Sequence, residues 1–356
     1  MDDETRARRD QCSTFMLGDG NVLPQELLAT IGKGVVPDTY GEGGVVAELE
    51  SAVAKLLGFP AAVFMPSGTM AQAAVLRVHA DARRSRTVLW HPLCHLMTHE
   101  GDAYRRVHSL VGRTVGAPHR LVERDDLEEV AEPVAALLLE LPQRDLGGQL
   151  PAWPDLLEQV AWAREHGAAA HLDGARLWEA SAGYERSPAE IASAFDSAYV
   201  SFYKGIGALP GCCVVGPPDV VTQVREWRGR LGGTLHGLWP AAASALNLLD
   251  ERLAEMPHRL AHARAIAAAL VDVEGVRVVP DPPQTPMMHL LFSVSEERFV
   301  ANARRLAEDE GVWVWPRPMP TADPEVVRCE LTVGRATGRM APDAVVAALV
   351  ALRAPE

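Results

Sequence analysis

The apolar positions of this chain gather into short continuous runs. Residues 61–65 (AAVFM), 87–90 (TVLW), 135–140 (AALLLE), 168–173 (AAAHLD), 197–202 (SAYVSF) and 212–216 (CCVVG) are runs of this kind. Without polar alternation, they predict strands buried on both faces. Segments of helical period lie between them. Residues 22–58 predict two helical pieces split by Gly-rich turns, the second over 45–57 with Gly58 as its stop. Further helices are predicted over 70–79, from after Gly216 through Trp227, and over the Ala-rich stretch 239–270. Strands alternating with helices give an α/β fold, with a mostly parallel central sheet covered by helices on both faces. Near residue 255 the texture changes. Residues 276–279, 289–292 and 327–331 predict strands of a smaller α+β unit. The expected division is a large domain over 1–254, including the N-terminal segment, and a small C-terminal domain over 255–356.

Composition narrows the class. The chain has 356 residues, 48% hydrophobic and 23% charged, as expected for a soluble globular protein. A net charge of −13 argues against a nucleic-acid partner, which needs a basic face. No apolar run approaches the roughly 18 residues of a membrane span, and the opening MDDETRARRDQCS has no apolar leader core. The five cysteines include no CxxC pair, and Cys212 and Cys213 are adjacent. A reducing, cytoplasmic setting without structural zinc is expected.

The candidate chemistry centres on a lysine. Of 34 basic residues only Lys33, Lys55 and Lys204 are lysines; the other 31 are arginines. Lys204 ends an apolar strand and precedes Gly205-Ile-Gly207. Arginine keeps its proton in a protein, whereas a lysine in apolar surroundings can lose it and become a nucleophile, the requirement for a Schiff base. Ser67-Gly68-Thr69 joins a strand to a helix start, where unpaired N–H groups and the helix dipole favour phosphate; taken alone it reads as a plain N-cap turn. Asp173 and Arg176, in Leu-Asp-Gly-Ala-Arg, follow another strand end, which in an open α/β sheet faces the ligand crevice. Alone, they read equally as a surface ion pair. Gly205-Ile-Gly207-Ala-Leu-Pro-Gly211 fails as a dinucleotide loop: its third glycine is one position late and an apolar strand follows. His91, His95 and His99 repeat at four-residue spacing, with Pro92 suited to a helix start, but the HExxH order of zinc proteases is missing. No metal is expected, and one functional histidine in this run is. A phosphate-type turn, a His-rich segment, a strand–Asp and then a strand–Lys follow the order of pyridoxal phosphate enzymes.

These stretches resemble the low-specificity threonine aldolase and β-eliminating lyase family, pyridoxal phosphate enzymes of the aspartate-aminotransferase fold. The matching segments are Asp38-Thr-Tyr-Gly-Glu42, Phe64-Met-Pro-Ser-Gly-Thr-Met-Ala71, His95-Leu-Met-Thr-His-Glu100, Leu139-Glu140 with Gly147-Gly148, His171-Leu-Asp-Gly-Ala-Arg-Leu177 and Val200-Ser-Phe-Tyr-Lys-Gly-Ile-Gly207. The resemblance implies that Lys204 bonds the cofactor aldehyde and Asp173 pairs with the ring nitrogen. It implies that Gly68 and Thr69 bind the phosphate, that His95 stacks on the ring, and that Arg176 and Arg328 grip the substrate carboxylate. It also implies homodimers or homotetramers with sites at subunit interfaces. Four departures stand out. Gly18-Asp-Gly20 replaces Ser-Asp-Thr, Tyr203 replaces a serine before the lysine, Gln143 replaces a histidine near the substrate hydroxyl, and His236 stands near where an arginine reaching a neighbour's phosphate is commonly met after Gly232-Gly233. The implied reaction is cleavage of a threonine-like β-hydroxy-α-amino acid to glycine and an aldehyde. Since glutamine is no base, His95, another nearby group or a water must take the hydroxyl proton. β-Elimination, transaldol transfer and a non-catalytic relative of the same fold are the alternatives.

Overall fold

Twelve strands are found in the computed structural model, which describes residues 2–314, 318–319 and 321–354. They are β1 (Thr14–Phe15), β2 (Ala61–Met65), β3 (Thr87–Trp90), β4 (Val111–Thr114), β5 (Ala136–Glu140), β6 (Ala169–Gly174), β7 (Ser197–Ser201), β8 (Cys212–Gly216), β9 (Val276–Val279), β10 (Met287–Ser293), β11 (Val312–Trp313) and β12 (Val326–Thr332). Seven form one sheet in the order β2-β8-β7-β6-β5-β3-β4. All its pairings are parallel except those of β8, which runs against both β7 and β2. Two reversals cancel, so β2 points the same way as β5, β6 and β7.

The continuous apolar runs became buried strands, β2 at one edge of the sheet and the other five inside it. Every residue of β6, β7 and β8 is buried. In the large sheet, β4 is the strand the pattern misses. It lies at the sheet edge, its VGRT sequence half-exposed, and Gly112 makes room for the Trp90 ring, which a Cβ there would strike. The helix Gly68–Arg83 starts two residues before the expected one and runs four beyond it. Gly58 closes the helix Gly44–Leu57 in a left-handed conformation (φ 71°) that glycine adopts without strain.

The seven-stranded sheet belongs to a unit formed by Leu23–Asp145 and Leu150–Ala254. The other unit comprises Met1–Val22, Leu146–Gln149 and Glu255–Glu356. It contains an antiparallel sheet ordered β12-β10-β9 and the parallel pair β1-β11. Here the strand pattern does alternate. Val327, Cys329 and Leu331 turn inward with Met288, Leu290 and Phe292, and Arg328 and Glu330 take the other face of β12. No helix among the described residues is long and apolar enough to cross a membrane.

Candidate active site

The carboxyl ends of β2, β5, β6 and β7 share one edge of the large sheet, and their loops enclose a cleft of about 680 Å³ counted to its open mouth. Strand register sets its floor. Glu140 pairs with Asp173, and Asp173 with Tyr199, so three side chains on adjacent strands line the cleft. Asp173 Oδ1 accepts the Ala175 N–H at 3.0 Å, and no protein donor reaches Oδ2 among the described residues. Burial raises the pKa of Asp173, an effect opposed by Lys204. Burial and the charge of Asp173 raise Glu140 to about 7.

Lys204 follows β7 in a tight turn closed by the Gly207 N–H on its carbonyl (2.9 Å). Gly205 leaves room there for the Glu179 carboxylate, which a Cβ would have to displace. The Lys204 ammonium is 5.8 Å from the Tyr203 ring centre. Its pKa is lowered by burial and then by Arg176, with Asp173 and Glu140 opposing. Such an amine can reach its neutral, nucleophilic form.

Ser67 is extended, and the helix Gly68–Arg83 begins behind it with no side-chain cap and no acid in its first turn. Its leading N–H groups are therefore open to an anion, with the positive end of the dipole behind them. A Cβ on Gly68 would run into the Tyr199 hydroxyl, so only glycine permits this approach of helix to strand. Arg176 lines the same cleft just before the helix Leu177–Tyr184.

The histidine run diverges. The helix begins at His95, three residues after Pro92, and is only four residues long. His91 turns to the Ala117 and Arg120 carbonyls (3.2 and 2.9 Å), while His99 lies 3.4 Å from Asp145. His95 alone of the three lines the cleft, with Nδ1 2.9 Å from Glu100 Oε1. That hydrogen bond raises the His95 pKa against partial burial. No metal-binding group of three or more His, Cys, Asp or Glu occurs among the described residues.

Lys204, Asp173, Gly68, Thr69, His95 and Arg176 thus come together. Gln143 does not join them. It lines a smaller cavity that Glu140 also borders, its amide 3.4 Å from both the Leu93 carbonyl and Glu140 Oε2. Arg328 belongs to the other unit. The sequence assigned no role to Glu140, Glu100, Tyr199 or Gln72, all of which line the cleft. Glu140 carried a signal that was available, since it ends a strand as Asp173 does.

The family model for β-eliminating lyases matches residues 26–293. The protein named "Probable low-specificity L-threonine aldolase 2" of Arabidopsis thaliana is 31% identical over 293 residues, 79% of this chain and 81% of that one. A crystal structure from Exiguobacterium sp. 255-15, provisionally named an aromatic amino acid β-eliminating lyase/threonine aldolase, is 35% identical, covers 98% of both chains and superposes with a TM-score of 0.91. One from Listeria monocytogenes EGD-E, provisionally named an L-allo-threonine aldolase, is 34% identical, with 98% and 97% coverage and the same TM-score.

Proposed function

The chain belongs to the β-eliminating lyase family, and from that we propose that it cleaves a threonine-like β-hydroxy-α-amino acid into glycine and an aldehyde. It is a lyase whose cofactor is pyridoxal phosphate. The observation that carries the reading is the convergence, in one cleft, of a half-buried lysine of lowered pKa, a buried aspartate with one free oxygen and an uncapped helix start. Each fits one part of that cofactor: its aldehyde, its ring nitrogen and its phosphate. When bound, the cofactor supplies an electron sink for the pair released as the Cα–Cβ bond breaks.

The residues divide the remaining work. Lys204 would hold the cofactor through its aldehyde, its lowered pKa making the neutral, nucleophilic amine accessible. Asp173 would hold the ring nitrogen through its free oxygen, favouring the protonated form. Gly68 and Thr69 give backbone N–H groups to the phosphate. Arg176 fixes the substrate carboxylate, which orients the bond to be broken; the same task for Arg328 rests on the family resemblance alone. His95 and Glu140 are cleft groups whose pKa values are both raised, His95 by its hydrogen bond to Glu100 and Glu140 to about 7 by burial and the charge of Asp173, which suits them to carry the hydroxyl proton. Gln143 acts on Glu140 and not on the substrate, as its hydrogen bond suggests.

A homo-oligomer in the cytoplasm completes the reading. Exposed Tyr40 and Leu235, on loops joined by the Tyr40 N–H to the His236 carbonyl, support a subunit contact. Five unpaired buried cysteines support a reducing compartment. Product analysis on threonine, phenylserine and O-substituted serines tests the reaction. Glycine and an aldehyde in equal amounts are expected; a 2-oxo acid with ammonia as the main products would establish elimination instead.

A further inference from the structure

A line of hydrogen bonds runs behind the cleft floor. Arg83 Nη1 lies 3.4 Å from His79 Nδ1, and His79 Nε2 is 2.7 Å from Ser197 Oγ. Ser197 Oγ is 2.8 Å from His171 Nδ1, and His171 Nε2 is 2.9 Å from Gln72 Oε1. The residues are brought together by regular structure. Gln72 and His79 lie on the inner stripe of the helix Gly68–Arg83, one and three turns after Gly68. His171 and Ser197 are a register pair on β6 and β7, one step deeper on the same faces as Asp173 and Tyr199. All but Arg83 are buried.

The donor inventory of these side chains fixes the direction of the line. Guanidinium only donates, so His79 Nδ1 accepts and His79 carries its proton on Nε2. That proton goes to Ser197 Oγ, whose single hydrogen is then given to His171 Nδ1. His171 must therefore hold its proton on Nε2 and give it to Gln72. The amide oxygen of Gln72 faces His171, and its –NH₂ faces away. That nitrogen has no protein acceptor among the described residues, although Gln72 is only 2% exposed and lines the cleft.

We propose that this one-way chain fixes Gln72 with its N–H donors in the cleft, so that Gln72 is a further cofactor-binding residue and His171 its positioning residue. The proposal rests on pyridoxal phosphate occupying this cleft. The cofactor offers acceptors on its phenolic oxygen and phosphate, and a buried amide donor aimed at them would otherwise have no partner.

Two measurements test it. Nitrogen-15 NMR of the histidines at neutral pH should place the proton of both His79 and His171 on Nε2. A proton on Nδ1 of His171, or a charged ring, would reverse the chain and overturn the proposal. Gln72→Glu keeps the size and the acceptor for His171 but replaces the cleft-facing N–H with oxygen. Reconstitution of the apoprotein, followed by absorbance, should show pyridoxal phosphate bound about tenfold more weakly or worse. An unchanged dissociation constant in the variant, with the unaltered protein binding normally, would sink this inference alone. Failure of the unaltered protein to bind the cofactor would sink the reading of the cleft itself.

Discussion

His95, in the wall of the cleft, and His171, one residue pair behind its floor, are the same side chain held in opposite states. His95 is part-exposed and bonded to the Glu100 carboxylate, which favours the imidazolium. His171 is fully buried between a hydroxyl and an amide, and burial followed by the nearby His79 lowers its pKa to about 3. The difference teaches where this molecule permits charge. In front of Asp173 stand Lys204 and His95, both of which act on its carboxylate. Behind it burial favours neutral His79 and His171 rings, so the cations that favour the Asp173 carboxylate stand on the cleft side.

The sharpest way to break that contrast is to remove the cation in front. Lys204→Ala should lower turnover at least about 10³-fold, and borohydride should no longer fix the cofactor to the chain. Persistent borohydride labelling at full stoichiometry would reassign the covalent site.

A smaller effect should come from acid acting on the back. His79 is lowered to about 4 by burial and by Arg83, against the opposing charges of Asp196 and Asp219. Folded pKa values below the unfolded 6.5 mean that the neutral rings contribute their full stability above pH 6.5. That contribution is lost as pH falls through about 4 for His79 and about 3 for His171. Each pKa unit of depression corresponds to about 1.4 kcal/mol. Denaturant unfolding measured against pH should steepen over this window in the natural protein and less in His79→Gln. Equal slopes would show that the back is not held neutral.

The smallest expected effect is at the mouth. The raised pKa of His95 has the opposite sign: its stabilisation is present below pH 6.5 and disappears as pH rises through the folded value. Glu100→Gln should bring the His95 titration, followed by NMR, down toward or below 6.5. Stability should change little, because the ring is part-exposed.

The front of the cleft was legible in the sequence because its residues stand at punctuation marks. Gly68 and Thr69 open a helix, while Asp173 stands at the end of one strand and Lys204 just past the end of another. The back was not legible in that way. Gln72 is one polar residue in a helix, and its meaning depends on His171, 99 positions away, and on a serine of the next strand. Gln143 illustrates a further limit. Its neighbourhood beside Glu140 could be read, but not the rotamer that places it in a separate cavity. In the fold, β4 escaped detection because an edge strand need not be apolar. The contacts of residues 1–22 with the C-terminal unit leave no trace in local periodicity.

The register of β5, β6 and β7 has a consequence for quality control. Glu140, Asp173 and Tyr199 stand abreast only in one alignment, and a slip of a single residue would carry a strand's side chains to the opposite face. A chain with the right strands wrongly aligned would lose the cleft altogether, not merely some of its efficiency. The colour of bound cofactor should therefore count correctly assembled molecules in a refolding mixture one by one, with no faintly coloured intermediates to blur the tally.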